Sequence, residues 1–120
     1  MTTKTITTVN GNIVIVNIET PIINDGQSAL DFIMSIGYEH DCQNIAINKA
    51  AVAEDFFVLS TGIAGDVVQK FVNYGFKVAI IGDFSGYTSK PLHDFIYESN
   101  KGNHLCFVAD ETEAVKRLSE

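Results

Sequence analysis

Four short runs of nearly continuous apolar residues recur along the chain: NIVIVNI at 12–18, NIAIN at 44–48, KVAIIG at 77–82 and HLCFVA at 104–109. Helix-length segments separate them, and no other feature constrains the fold as strongly. Runs of this kind suit strands covered on both faces, as in parallel sheets whose crossover helices lie over them. The intervening segments have helical spacing, most clearly at Ala64, Val67, Val68 and Phe71, which stand at i, i+3, i+4 and i+7. Strands that alternate with helices become parallel neighbours joined by right-handed crossovers.

The start of the chain modifies this pattern. Lys4–Val9 has period 2 and stops at Asn10-Gly11, a tight-hairpin signal that pairs it with 12–18 and makes the sheet mixed. The threonine-rich first strand belongs nearer an edge. Asn24 with Gln27 reads as a capping box for a helix carrying Ala29, Leu30, Ile33 and Met34, closed by Gly37 as its C′ residue. Phe32 and Ile36 widen its stripe toward a neighbouring element or an interface. The stretch from Lys49 to Leu59 fits no period. Asn73-Tyr74-Gly75 ends the second helix. The third starts near Lys90, with Pro91 in its first turn and Leu92, Phe95 and Ile96 inward. Asp110 with Glu113 caps the last, whose inner face is Ala114, Val115 and Leu118. The expectation is an α/β single compact domain over 1–120, with a mixed sheet of about five strands and four helices in the order β-hairpin-αβαβαβα.

Composition narrows function by exclusion. With 120 residues, 46% of them hydrophobic, the chain supports one buried core rather than a disordered tail. A net charge of −7 and a single arginine, Arg117, leave no basic face for nucleic acid or an anionic membrane. No run has the length of a bilayer span, and none resembles a signal peptide. Cys42 and Cys106 form no CxxC pattern or disulfide framework, which points to a reduced, cytoplasmic protein. His40, His93 and His104 lack metal-ligand spacing, and HDC at 40–42 offers no third ligand, so neither metal nor cofactor is expected. His104 and Cys106 share one side of a strand, yet a buried thiol is inert. Glu98 has no acidic partner, so glycosidase chemistry has no support.

The order of elements is similar to that of the STAS domain, the fold of bacterial anti-anti-sigma factors, in which an Asp-Ser-Ser/Thr-Gly loop opens the second helix. LSTGIAGDVVQKF at 59–71 falls in the corresponding place, NYGFKVAII resembles the turn and strand that follow, and ETEAVKRL resembles the closing helix. This resemblance puts Thr61 where the family carries its phosphorylatable hydroxyl and Ser60 at the hydroxyl before it, with Leu59 in place of the aspartate. More closely, FFVLSTGIAGDVVQKFVNYGFKVAIIGDF, with PLHDFIYESNKGN after it, resembles a bacterial family catalogued as domain of unknown function 4180. That resemblance implies no activity.

Three readings compete for Ser60 and Thr61. One of them caps the helix, for about 1 kcal/mol, while Gly62 and Gly65 let the helix approach the sheet closely. Alternatively, a phosphate on Thr61 acts as a switch at the helix N-terminus. Or the N-terminus binds an anion, although STGIAG has neither GxGxxG spacing nor a Walker lysine. A second polar cluster, GDFSGYTSK at 82–90, follows a strand end where ligands collect. Asp83, Ser85, Tyr87, Thr88 and Ser89 would line a pocket there with Ser60 and Thr61; otherwise Thr88 or Ser89 caps a helix while Asp83 and Gly86 serve the turn. Phe56 and Phe57 cannot both point inward on an extended backbone, so an exposed one would mark a contact patch beside LSTG.

The functional expectation is a non-catalytic protein-interaction module, regulatory in character, that meets an unidentified protein partner at the start of the helix from Thr61. The alternative is a small-molecule or anion-binding domain, or an enzyme, with its pocket between loops 60–66 and 83–89. Homodimerisation through the first strand or the Phe32–Ile36 flank is compatible with either.

Overall fold

The alternation within the apolar runs divides the side chains of the four inner runs between two cores. The computed structural model describes residues 1–120. Its strands are β1 (Thr2–Thr8), β2 (Gly11–Asn17), β3 (Asn44–Asn48), β4 (Lys77–Ile81) and β5 (Leu105–Val108). Its helices are α1 (Gly26–His40), α2 (Ile63–Tyr74), α3 (Lys90–Lys101) and α4 (Glu111–Leu118). The sheet runs β1-β2-β3-β4-β5; β1 pairs antiparallel with β2 and every other pair is parallel. The expected α/β domain, with a mixed five-stranded sheet and four helices, is the one observed.

Val14, Val16, Ile45, Ile47, Val78, Ile80, Leu105 and Phe107 face the larger core, where they meet Ile33 of α1, Val67 and Phe71 of α2 and Leu92 of α3. Ile13, Ile15, Ala46, Ala79, Cys106 and Val108 face the opposite side and meet Ala114 and Leu118 of α4. The alanines on β3 and β4 let a single short helix cover that face closely. Each fully buried Ile, Val or Phe contributes on the order of 2 kcal/mol, so these two layers supply the main drive to fold.

Several local expectations shift. The hairpin tip is Val9-Asn10, one residue early, because the observed register pairs Thr8 with Gly11 and sets Ile6 opposite Ile13 on the α4 side. The cap of α1 is Asp25 with Ser28, not Asn24 with Gln27: the Asp25 carboxylate accepts from Ser28 N at 2.8 Å, and Ser28 Oγ accepts from Asp25 N at 3.0 Å. The Ser28 backbone N–H first, and then its hydroxyl, hold the Asp25 carboxyl below the usual aspartate range. Gly37 lies inside α1, which continues to His40 and is capped by Asp41. A Cβ at Gly37 would come within 2.7 Å of the Phe76 ring, so this glycine serves close packing rather than helix termination. At α4, Asp110 accepts from Glu113 N as expected, whereas the Glu113 side chain reaches back to Ala109 N. Phe32 and Ile36 are buried in the larger core, which removes the flank they suggested as an interface. The outer edge of β1 is left without a strand partner.

The aperiodic stretch after β3 consists of three single 3₁₀ turns, at Lys49–Ala51, Glu54–Phe57 and Leu59–Thr61. A short bridge between Ile23 and Val52 and the bond from Ala53 N to Ile23 O tie it to the approach to α1. Turns this short bury one or two side chains each and leave no longer period to read. Helices α1 and α2 are joined at their starts, where Gly26 N donates to the Asp66 carboxylate at 3.0 Å.

Candidate functional site

The loops after β3 and β4 emerge together at the C-terminal end of the parallel strands. With strands in chain order, α1, α2 and α3 all cross on one face, and the winding never reverses. The sheet therefore lacks the switch-point crevice that receives ligands in doubly wound folds. In its place lies an open groove of about 510 Å³. Val58, Leu59 and Ser60 form one wall and Tyr87, Thr88 and Pro91 the other, with Phe57 and Glu54 also lining it.

The loops are held together by side chains. Tyr87 Oη donates to the Glu54 carboxylate, 3.1 Å from each oxygen, and the Tyr87 ring stacks on Phe57 with centroids 5.0 Å apart. Lys49 Nζ sits 4.8 Å from the Tyr87 ring centroid and 3.8 Å from Glu54 Oε1. Burial pushes the Tyr87 phenol up and the Glu54 carboxylate adds to that rise, with the Lys49 ammonium pulling the other way. Lys49 is itself pushed up, first by the Tyr87 phenol beside it, then by the negative charges of Glu54 and Asp83. Near neutral pH both groups stay protonated, so this cluster fastens the loops and holds no proton acceptor apart from its carboxylates.

A pH dependence follows. A folded-state value raised above the ordinary 10.0 of tyrosine means that the native chain holds its proton more tightly than the unfolded one. Stability from this group is complete below the unfolded value and is lost as pH rises through the folded one. The denaturation midpoint is expected to fall above pH 10.0, less steeply in Tyr87→Phe. The phenolate absorbance difference between wild type and Tyr87→Phe is expected to develop only above the ordinary tyrosine range.

The residues singled out from sequence part company here. Ser60 is exposed on the lip of the groove. Thr61 is exposed too, but its hydroxyl lies 2.9 Å from Asp55 O and 2.8 Å from Val58 O, the two carbonyls available to its proton, and it accepts from Ile63 N at 3.3 Å. It braces the loop and only incidentally meets the helix start. The N-cap of α2 is Gly62, without a side-chain cap and with φ +79°, a left-handed conformation that costs other residues about 1 kcal/mol or more. Gly65 is exposed and a Cβ there meets nothing within 4 Å, so it plays no part in close packing against the sheet.

Asp83 accepts from Ser85 N at 2.9 Å and from Ser85 Oγ at 2.6 Å, a local turn that lowers its carboxyl below the ordinary range. Asp83 lines a separate recess with Phe84 and Glu113, so the pocket expected to combine Asp83 and Ser85 with Ser60 does not form. Ser89 caps α3 by accepting from Leu92 N at 3.4 Å. Phe56 and Phe57 are 0% and 3% exposed. The backbone there is a 3₁₀ turn rather than extended, which lets adjacent side chains both turn inward, and neither marks a contact patch. Val58, 50% exposed, presents an apolar side chain to solvent at the groove, with exposed Pro91 on the opposite wall.

Elsewhere, burial pushes the Cys106 thiol up on the α4 face, and His104 Nδ1 is 3.0 Å from Phe76 O. No three His, Cys, Asp or Glu side chains gather closely enough to hold a metal ion, and no helix is long and apolar enough to cross a membrane. Lys49 and Glu54 escaped the sequence reading because they lie in the stretch without a period.

Fold and groove together define a singly wound α/β domain with its loops braced over one end of the sheet. The chain belongs to the family described as Domain of unknown function (DUF4180), which matches residues 8–118. Neither a curated protein nor a solved structure matches it.

Proposed function

We propose that the chain is a non-catalytic, regulatory interaction module that receives a protein partner in the groove between residues 58–60 and 86–91. The observation that carries this reading is the pairing of Val58 with Ser60 on one lip: an exposed apolar side chain beside an exposed hydroxyl that the loop's own bonds do not use. The half-buried Tyr87, held flat on the buried Phe57 ring, gives the groove a rigid aromatic floor of the kind on which partner side chains anchor. The similarity of the order of elements, and of the STG loop before α2, to STAS domains supports a switch at this place. Two free, buried cysteines support a cytoplasmic setting.

Within this reading Ser60, rather than Thr61, is the modifiable residue. A phosphate on Ser60 adds up to about two negative charges on the lip without breaking a bond. At Thr61 it would displace the bonds to Asp55 and Val58 and unbrace the loop. The test is affinity capture from a lysate of the native host, with phosphosite mass spectrometry on the bait. Wild type is expected to retain a partner that Ser60→Asp and Val58→Arg both lose, while both variants melt with wild type. Thr61→Asp, with a carboxylate facing two carbonyls, is expected to lower stability by about 1–3 kcal/mol. Equal capture by wild type, Ser60→Asp and Val58→Arg would overturn the assignment.

A further inference from the structure

A second groove, also of about 510 Å³, lies at the opposite end of the sheet, between the last turns of α1 and α2 and the hairpin tip. Met34, Tyr38 and Tyr74 line it and are 45%, 93% and 46% exposed, so three exposed aromatic and thioether side chains gather here, whereas Met1 and Tyr97 stand apart from it. Asp41 is the single charged side chain in its lining; no lysine or arginine is present there. Both adjoining helices end at this groove, capped by Asp41 and Gly75, so two sets of C-terminal carbonyls bring partial negative charge to it.

Tyrosine faces, a polarisable thioether, two helix C-termini and a carboxylate all favour the same occupant, a cation with a flat or weakly hydrated surface. The net charge of −7 draws such a partner to the chain from a distance, and the groove supplies the contact. We propose that this groove docks an arginine-bearing segment of a protein partner. A guanidinium stacks flat on a tyrosine ring while its N–H groups reach the Asp41 carboxylate; an ammonium is more strongly hydrated and lacks the fork. This surface is separate from the one beside Ser60, and the two stand or fall independently.

The test is an amide-resolved NMR titration of the full chain with a short peptide of alternating arginine and glycine, matched against its lysine counterpart and a glycine-leucine peptide. Shifts are expected at the last turns of α1 and α2 and at the hairpin tip. The arginine peptide is expected to bind most tightly. Tyr38→Ala, which leaves net charge unchanged and removes a side chain that is almost wholly exposed, is expected to weaken binding about three- to tenfold. Tyr38→Phe retains the ring face and is expected to bind like wild type. Asp41→Asn, which keeps a residue tolerant of the left-handed conformation at φ +50°, is expected to weaken binding as well. Shifts spread over the whole acidic surface, unchanged affinity in Tyr38→Ala, or equal binding of the lysine or glycine-leucine peptide would overturn the proposal.

Discussion

Phe56→Ala is expected to destabilise the protein by about 3–5 kcal/mol, a large part of the 5–15 kcal/mol that holds a typical domain together. Phe56 is fully buried. Its ring stands 5.0 Å from Phe57, 6.3 Å from Phe95 and 6.4 Å from Phe107, each measured between centroids. Phe84 extends the cluster, edge-on to Phe107 at 5.2 Å. The residue therefore pins the 3₁₀ segment after β3 to β5 and α3, and its loss leaves a cavity that rigid neighbouring rings cannot fill. Val58→Ala, two positions on, is expected to change stability by no more than about 0.5 kcal/mol. Chemical denaturation of both variants checks this. Were Phe56 a contact residue, its truncation would spare the midpoint and affect only binding.

Two helix glycines are expected to respond to alanine with opposite signs. At Gly37 a Cβ would lie 2.7 Å from Phe76 Cζ and 3.0 Å from Cys42 O, and Phe76 is itself buried. The overpacking cost of about 1–3 kcal/mol exceeds the gain of about 1 kcal/mol in helix propensity. A net loss of up to about 2 kcal/mol is expected once the ring has shifted. At Gly65 nothing opposes the new methyl, and the propensity gain of up to about 1 kcal/mol is expected to appear as a higher melting temperature. Equal responses would contradict the assignment of close packing to Gly37 and not to Gly65.

These residues also show how far the sequence could be read. Strand and helix positions were legible because burial on both faces leaves a short continuous apolar run at each of β2–β5, while burial on one face leaves a helical stripe on α2. The cap of α1 was misplaced by one residue because Asn24 and Asp25 carry equivalent capping groups, and only the geometry of Ser28 selects between them. Gly37 looked like a helix end because a glycine near the close of a stripe has two uses, and the ring of Phe76 that decides between them is remote in sequence. Inward burial of both Phe56 and Phe57 was illegible for a related reason: a 3₁₀ turn leaves no periodic trace.

The site was harder to read than the fold. Ser60 was found through local chemistry at a loop before a helix. The clamp that shapes its groove joins Tyr87 to Glu54 across 33 residues, and no local pattern announces such a pairing. Asp83 and Ser85 looked like ligand groups but satisfy one another, which is the common fate of Asx and Ser side chains in a turn.

The most direct measurement is photo-crosslinking in living cells from a photoreactive amino acid placed at Val58, with a second placed at exposed Tyr97 on α3 as the control. A discrete adduct with one protein from position 58, absent from position 97 and lost when Ser60→Asp is added, is the result predicted for a regulated docking groove. No adduct at position 58, or the same adducts from both positions, would contradict it.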